Sequence, residues 1–263
     1  MARGTVYLMY HELEVPGRPL CCSDNGYVRY VVRESDFRSQ ISWLVSSGWV
    51  GMSVSDALEN SEERAVAITF DDGTETDLLT AAPVLKQAGF GATFYATVGY
   101  LGKPGYLSHA QLRELAQLGF EIGCHSMTHP YLSDLDSGGL EREIAGAREQ
   151  LEQILGTPVK HFACPGGRYD ERAREVAERA GYISVATSSP HANSVSADRF
   201  ALGRVVVMRE TSLSGFQELC RGQGLWKLQL GAAAYQTAKR VLGNKRYDRL
   251  RTALLERNSP QHH

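Results

Sequence analysis

Short apolar runs alternate along the chain with stretches in which apolar residues return every three or four positions and which close on a glycine. The runs predict strands at Thr5–Tyr10, Val66–Phe70, Ala92–Ala96, Glu121–Cys124, His161–Cys164, Ser184–Thr187 and Arg204–Met208. The 3.6-residue pattern predicts helices at Glu34–Ser47, Asp77–Ala88, Ser108–Leu118, Leu140–Leu155 and Glu171–Ala180. Gly48, Gly89, Gly119, Gly156 and Gly181 follow these helices, where a left-handed residue costs least without a Cβ, and Ser108 is a good N-cap. Repeated strand–helix alternation implies right-handed crossovers and a parallel sheet, and seven strands are enough to close a barrel. The pattern changes after Gly222, so the chain divides into a domain over 1–222 and a helix-like tail over 223–263.

In such sheets the chemistry lies beyond the carboxyl ends of the strands. Asp71 and Asp72, in Thr69-Phe70-Asp71-Asp72-Gly73, directly follow one predicted strand, and His125, in His125-Ser126-Met127-Thr128-His129, follows another. Pro165-Gly166 and His11 end two more. An Asp-Asp-Gly alone is an ordinary turn, and two histidines on one helical turn are ordinary surface residues. Together at strand ends they supply two carboxylates and two imidazoles. Three of these hold a divalent metal with positions open for water and substrate, and one aspartate is left over as a base. The donor set suits Zn²⁺, and Co²⁺, Ni²⁺, Mn²⁺ or Fe²⁺ also accept it. Residues 12–33 and 97–107, rich in Gly, Pro, Ser and Tyr, are placed to roof that rim.

Composition narrows the reading. A formal net charge of −2 argues against a nucleic-acid binder, which would carry a basic surplus. Five cysteines, with one adjacent pair and no C-x-x-C, fit neither a disulfide framework nor a thiolate zinc site. Met1-Ala2-Arg3-Gly4 leads straight into the first strand, too short an apolar run for a secretion signal, so the expectation is a cytoplasmic protein with reduced thiols. The charge is uneven: between Arg221 and Arg257 nine Lys/Arg face only Asp248 and Glu256. There Trp226, Leu228, Leu230, Tyr235 and Leu242 interleave with basic residues, the pattern of a helix lying on the inner face of an anionic membrane or of one packed on the barrel with a solvated basic face.

The two motifs resemble those of the polysaccharide deacetylase family (NodB homology, carbohydrate esterase 4), and the likeness runs through most of residues 5–210. The resemblance implies a distorted (β/α)7 barrel, with Asp71 as general base and Asp72, His125 and His129 as metal ligands. It implies an acetylated sugar of a polysaccharide, or of a lipid-linked oligosaccharide, as substrate. Two other motifs depart. Where the family often has Phe-Arg-Pro-Pro-Tyr-Gly, this chain has Phe162-Ala163-Cys164-Pro165-Gly166-Gly167, so the arginine that steadies the base is missing while the Gly166 N–H remains as oxyanion donor. The histidine of the late Leu-x-His motif is also missing. Tyr10-His11 is similar to the Tyr-His of a permuted branch acting on poly-N-acetylglucosamine, which makes His11 the general-acid candidate. Arg204 or Arg168 could replace the lost arginine. Two rival readings are an inactive carbohydrate-binding module with a structural metal, favoured by the lost arginine, and an amidohydrolase acting on a non-sugar amide.

Overall fold

A computed structural model describes residues 4–59, 62–167 and 169–231. Its frame is a parallel sheet. The strands are β1 (Val6–Tyr10), β4 (Val50–Met52), β5 (Ala65–Phe70), β6 (Thr93–Ala96), β7 (Glu121–Cys124), β8 (His161–Ala163), β9 (Ser184–Ala186) and β10 (Val205–Val206). They run in the order β10-β1-β5-β6-β7-β8-β9, with β4 beside β5. The short pair β2 (Leu13–Glu14) and β3 (Val32–Arg33) forms a separate parallel ladder in the 12–33 segment. The seven predicted strands are all present. The eighth, β4, was not legible: it is three residues long and has glycine at its centre. Gly51 is required there, because a Cβ would come within 2.6 Å of both Ile68 and the Phe90 ring.

β1 and β5 pair in register from Val6↔Val66 to Tyr10↔Phe70. The other edge of β5 is shared, β4 lining its first half and β6 its second. The sheet curls until its ends meet. Leu202 forms a parallel bridge to Ala186 of β9, and three residues later β10 pairs with β1 at Leu8↔Val205. Asn193 fastens this seam, its side chain donating to the Gly203 carbonyl and accepting from the Gly203 N–H while its backbone pairs with Thr5. The result is the distorted barrel.

Strand alternation then sorts side chains into two layers. Val6, Leu8, Tyr10, Val66, Ile68, Phe70, Phe94, Ile122, Phe162 and Val185 face outward under the helices and form the large core. The rings of Tyr10, Phe70 and Phe94 stack across three strands at 5.1 Å spacings. Tyr7, Ala65, Ala67, Tyr95, Ala163, Ala186 and Leu202 form the second cluster, in the bore, where small alanines make room for two tyrosine rings. Apolar side chains on both faces explain why the strands read as unbroken apolar runs.

The helices follow the 3.6-residue pattern with two insertions. The expected Asp77–Ala88 helix opens with a π turn at Asp77–Ala81 before Ala82–Ala88, and Leu140–Leu155 resolves into Ser137–Glu141, a π turn at Arg142–Gly146, and Ala147–Leu155. Ser108 closes a capping box with Gln111, and the five helix-ending glycines all take positive φ. Short helices at Val54–Glu59 and Leu213–Cys220 add to the expected set. The segments 12–33 and 97–107 touch: Arg18 and the Cys21 thiol both bond the Gly105 carbonyl, and Arg18 also bonds Glu75. Of the expected tail, 225–231 is helical, and 232–263, with Leu242, lies outside the described residues. Among the described residues no helix is long and apolar enough to cross a membrane.

Candidate active site

The alternation that fills the bore also delivers the chemistry. One step beyond the inward Thr69 lies Asp71, and one step beyond the inward Gly123 lies His125. Asp71 is fixed in line by its N–H donating to the Tyr10 carbonyl at 3.0 Å, and His125 by its N–H on Ala96 at 2.9 Å. Asp72, Ser126 and His129 are the non-glycine residues with left-handed φ among those described, at 79°, 68° and 64°. Such a conformation costs about 1–3 kcal/mol per residue and persists only where surroundings impose it. All three fall on the two motifs.

His125 is buried, and its Nδ1 lies 2.8 Å from the Ala163 carbonyl. A carbonyl only accepts, so Nδ1 carries the proton and Nε2 presents a lone pair. Nε2 sits 3.7 Å from both Asp71 Oδ2 and Asp72 Oδ1, and His129 Nε2 is 3.4 Å from Asp72 Oδ1. One atom each of Asp72, His125 and His129 lies within 4.8 Å of the others. A tetrahedral ion with ligands about 2.0–2.1 Å away would set its ligands about 3.3 Å apart, close to these separations. Asp72 Oδ1 is buried without a hydrogen-bond partner, a costly state for a carboxylate oxygen unless a cation meets it. Burial pushes the His125 imidazole down to about 4, against the pull of the Asp71 carboxylate, so it is a neutral ligand near pH 7. The three predicted ligands therefore fit a divalent metal.

Asp71 stands beside them and is paired differently. The fully buried Arg204 grips it with two parallel bonds, Nη1 to Oδ1 at 2.6 Å and Nη2 to Oδ2 at 2.8 Å. Arg204 is itself held by the Thr187 carbonyl, by Thr69 Oγ1 and by the face of Tyr95, 5.3 Å from the ring centre. Burial alone would raise the Asp71 pKa, but the guanidinium, with smaller help from His125 and His11, holds it well below the usual carboxylate range. Arg204 thus holds Asp71 in a chain that has alanine at position 163, reaching it from the segment just before β10. Arg168 lies outside the described residues.

His11 follows β1 at the same rim, half-buried, its ring 5.2 Å from that of Tyr30 and its buried Nδ1 without a hydrogen-bond partner. Gly166 follows β8 in left-handed conformation, exposed, under the Tyr131 ring; a Cβ there would stand 2.7 Å from that ring. His161 lies at the opposite end of the bore among Glu121, Ser55 and Ser184, a structural position. Sequence reasoning missed Glu12, whose buried carboxylate takes the Cys21 N–H and the Tyr27 hydroxyl and so ties down the roof beside His11. It also missed Tyr95, which the inward alternation of β6 would have flagged.

Comparison with known proteins bears on the family and the fold. Residues 59–185 match the family described as polysaccharide deacetylase. The matched segment is a polysaccharide deacetylase domain. It is 29% identical over 215 residues to YxkH of Bacillus subtilis, whose own naming as a polysaccharide deacetylase is provisional, covering 80% of this chain and 73% of that protein. It is 32% identical over 171 residues to the poly-beta-1,6-N-acetyl-D-glucosamine N-deacetylase of Staphylococcus aureus, 58% of this chain and 59% of that one. The same fold occurs in the deacetylase PplD of Streptococcus pyogenes (TM-score 0.72, 23% identity, 84% of this chain and 99% of that one). It occurs again in IcaB from Ammonifex degensii (TM-score 0.67, 24% identity, 83% and 97%). The matched segment contains both the Asp71-Asp72 and the His125–His129 motifs, while Arg204, just before β10, lies beyond it.

Proposed function

We propose that this chain is a metal-dependent hydrolase that removes N-acetyl groups from a sugar of a polysaccharide or of a lipid-linked glycan precursor. The observation that carries the reading is a base and a ligand set side by side: Asp71 held ionised by Arg204, next to Asp72, His125 and His129 with an unpartnered Asp72 oxygen. A divalent ion held by the three ligands, zinc being the best match to the donors, supplies Lewis-acid polarisation and acidifies water. Asp71 removes a proton from the attacking water. The Gly166 N–H donates to the oxyanion that develops as water adds to the acetyl carbonyl. His11, protonated, donates to the departing amine as the C–N bond breaks, leaving acetate and a free amino sugar.

The staphylococcal relative supports an N-acetylglucosamine polymer as the first substrate to try. Arg204 on Asp71 weighs against the inactive-module reading, because a purely structural metal gives no reason to clamp a second carboxylate beside it. The tail is read as a membrane contact: Leu225 is buried while Trp226 and Leu230 are 60% and 63% exposed, an apolar face that the barrel leaves uncovered.

Acetate release from N-acetylglucosamine oligomers by zinc-loaded protein tests the activity. Asp71→Asn and His11→Ala are each expected to lower turnover by roughly 10²–10⁴-fold with zinc content unchanged. Undiminished release by Asp71→Asn would remove the assigned mechanism, and release from simple amides alone would move the enzyme to the non-sugar class.

A further inference from the structure

The loop that carries both histidines is held in a form its sequence does not favour. It bends through left-handed Ser126 and His129, and a web of bonds keeps it there. The Ser126 hydroxyl accepts the His129 N–H at 2.9 Å, and the Ser126 and Met127 carbonyls accept the N–H groups of Val98 and Gly99. The Thr97 hydroxyl donates to the His125 carbonyl at 3.1 Å, and three further bonds come from one residue in a helix. The Glu143 carbonyl accepts the Met127 N–H at 3.2 Å, its Oε2 accepts the Thr128 N–H at 2.8 Å, and its Oε1 accepts the Thr128 hydroxyl at 2.6 Å. Both carboxylate oxygens of a buried glutamate are thereby spent on the residue next to a metal ligand.

Glu143 stands in the π turn at Arg142–Gly146, between two ordinary helical segments. π turns inside helices are frequent at functional sites, where the extra residue redirects a side chain. Here the insertion falls where the helix passes under the histidine loop.

We propose that Glu143 is a positioning residue for the metal centre: by binding Thr128 it holds His129 in its left-handed conformation, with Nε2 facing Asp72. This rests on the metal-site reading above. Glu143 touches neither substrate nor metal and acts through the loop.

The test measures zinc affinity of the full-length protein by chelator competition, together with the melting temperature of the metal-free protein. Glu143→Ala should weaken zinc binding by roughly 10–100-fold, the usual effect of losing a group that orients a ligand. Glu143→Gln should bind zinc nearly as the parent does, since an amide oxygen can take the Thr128 N–H while its NH₂ donates to a hydroxyl that is free to accept. In a His129→Ala background, Glu143→Ala should cause no further loss, because its effect passes through the missing ligand. Equal zinc affinity of parent and Glu143→Ala overturns the proposal, as does a full additional loss in the His129→Ala background. Should Glu143→Ala not fold, Thr128→Val breaks one of the two side-chain contacts, and unchanged zinc affinity there overturns it too. A parent protein that binds no zinc would sink the metal-site reading itself, a result distinct from either.

Discussion

Arg204 carries a full charge in a place water does not reach, and Asp71 is the carboxylate that balances it. Replacing a whole buried pair by apolar groups is often harmless, whereas removing one partner strands the other and costs about 3–5 kcal/mol. Arg204→Met is therefore expected to lower unfolding free energy by about that much in urea titrations, and Asp71→Asn/Arg204→Met together should regain most of it without regaining activity. A single Arg204→Met that unfolds with the parent would show that the pair is not closed in solution. Arg204→Lys should keep most of the stability but lose the two-pronged grip, so activity should fall more than stability does. How far such residues were legible depends on how they reach the site. Asp71, Asp72 and His125 sit just past apolar runs, and the period-2 rule that predicts the strand also aims Asp71 and His125. Arg204 could be marked as a candidate but not ranked above Arg168, because register between β10 and β1 decides it. Glu143 left no trace in the pattern: on a helix it reads as one more polar position.

At the scale of elements, the barrel has a second polar assembly at the end of the bore away from Asp72, His125 and His129. Glu121 on β7 accepts from Thr93 on β6, meets His161 on β8 at 3.1 Å, and pairs with Ser55 from the helix that closes the barrel floor; His161 is held in turn by Ser184 on β9. Burial would push the Glu121 carboxyl up, but His161 and the hydroxyls hold it down at about 2. A depressed carboxylate contributes stability that is complete above its unfolded pKa of about 4.3 and is lost as pH falls toward the folded value. The difference amounts to about 3 kcal/mol. Between pH 6 and 3 the parent should lose more stability in urea than Glu121→Gln does; parallel losses would mean that the assembly is not ionised as described. The strands that build it were legible because both faces are apolar. The π turns were not, since one extra residue in a helix barely disturbs a 3.6-residue pattern, and β4 was too short to register at all.

For the whole molecule, formal charge is distributed along the chain rather than balanced locally, with the basic surplus concentrated after Arg221. Each Lys or Arg near an anionic bilayer contributes about 1 kcal/mol, within a Debye length of about 8 Å at physiological salt. The full protein should co-sediment with phosphatidylglycerol vesicles at low salt and release at high salt, and protein lacking residues 223–263 should stay in solution. Equal sedimentation of both would leave the exposed Trp226 as an ordinary surface residue. The seam of the barrel has a consequence of another kind, one of timing. Asp71 and Arg204 lie 133 residues apart in the chain, and the arginine arrives on the strand that completes the ring. Contacts that span so much chain carry a large loop-closure cost and tend to form late in folding. Until β10 docks, the carboxylate has no guanidinium to keep it charged in a drying interior. A chain whose β10 has not docked would carry Asp72, His125 and His129 on the other strand ends but would leave Asp71 without the guanidinium that ionises it.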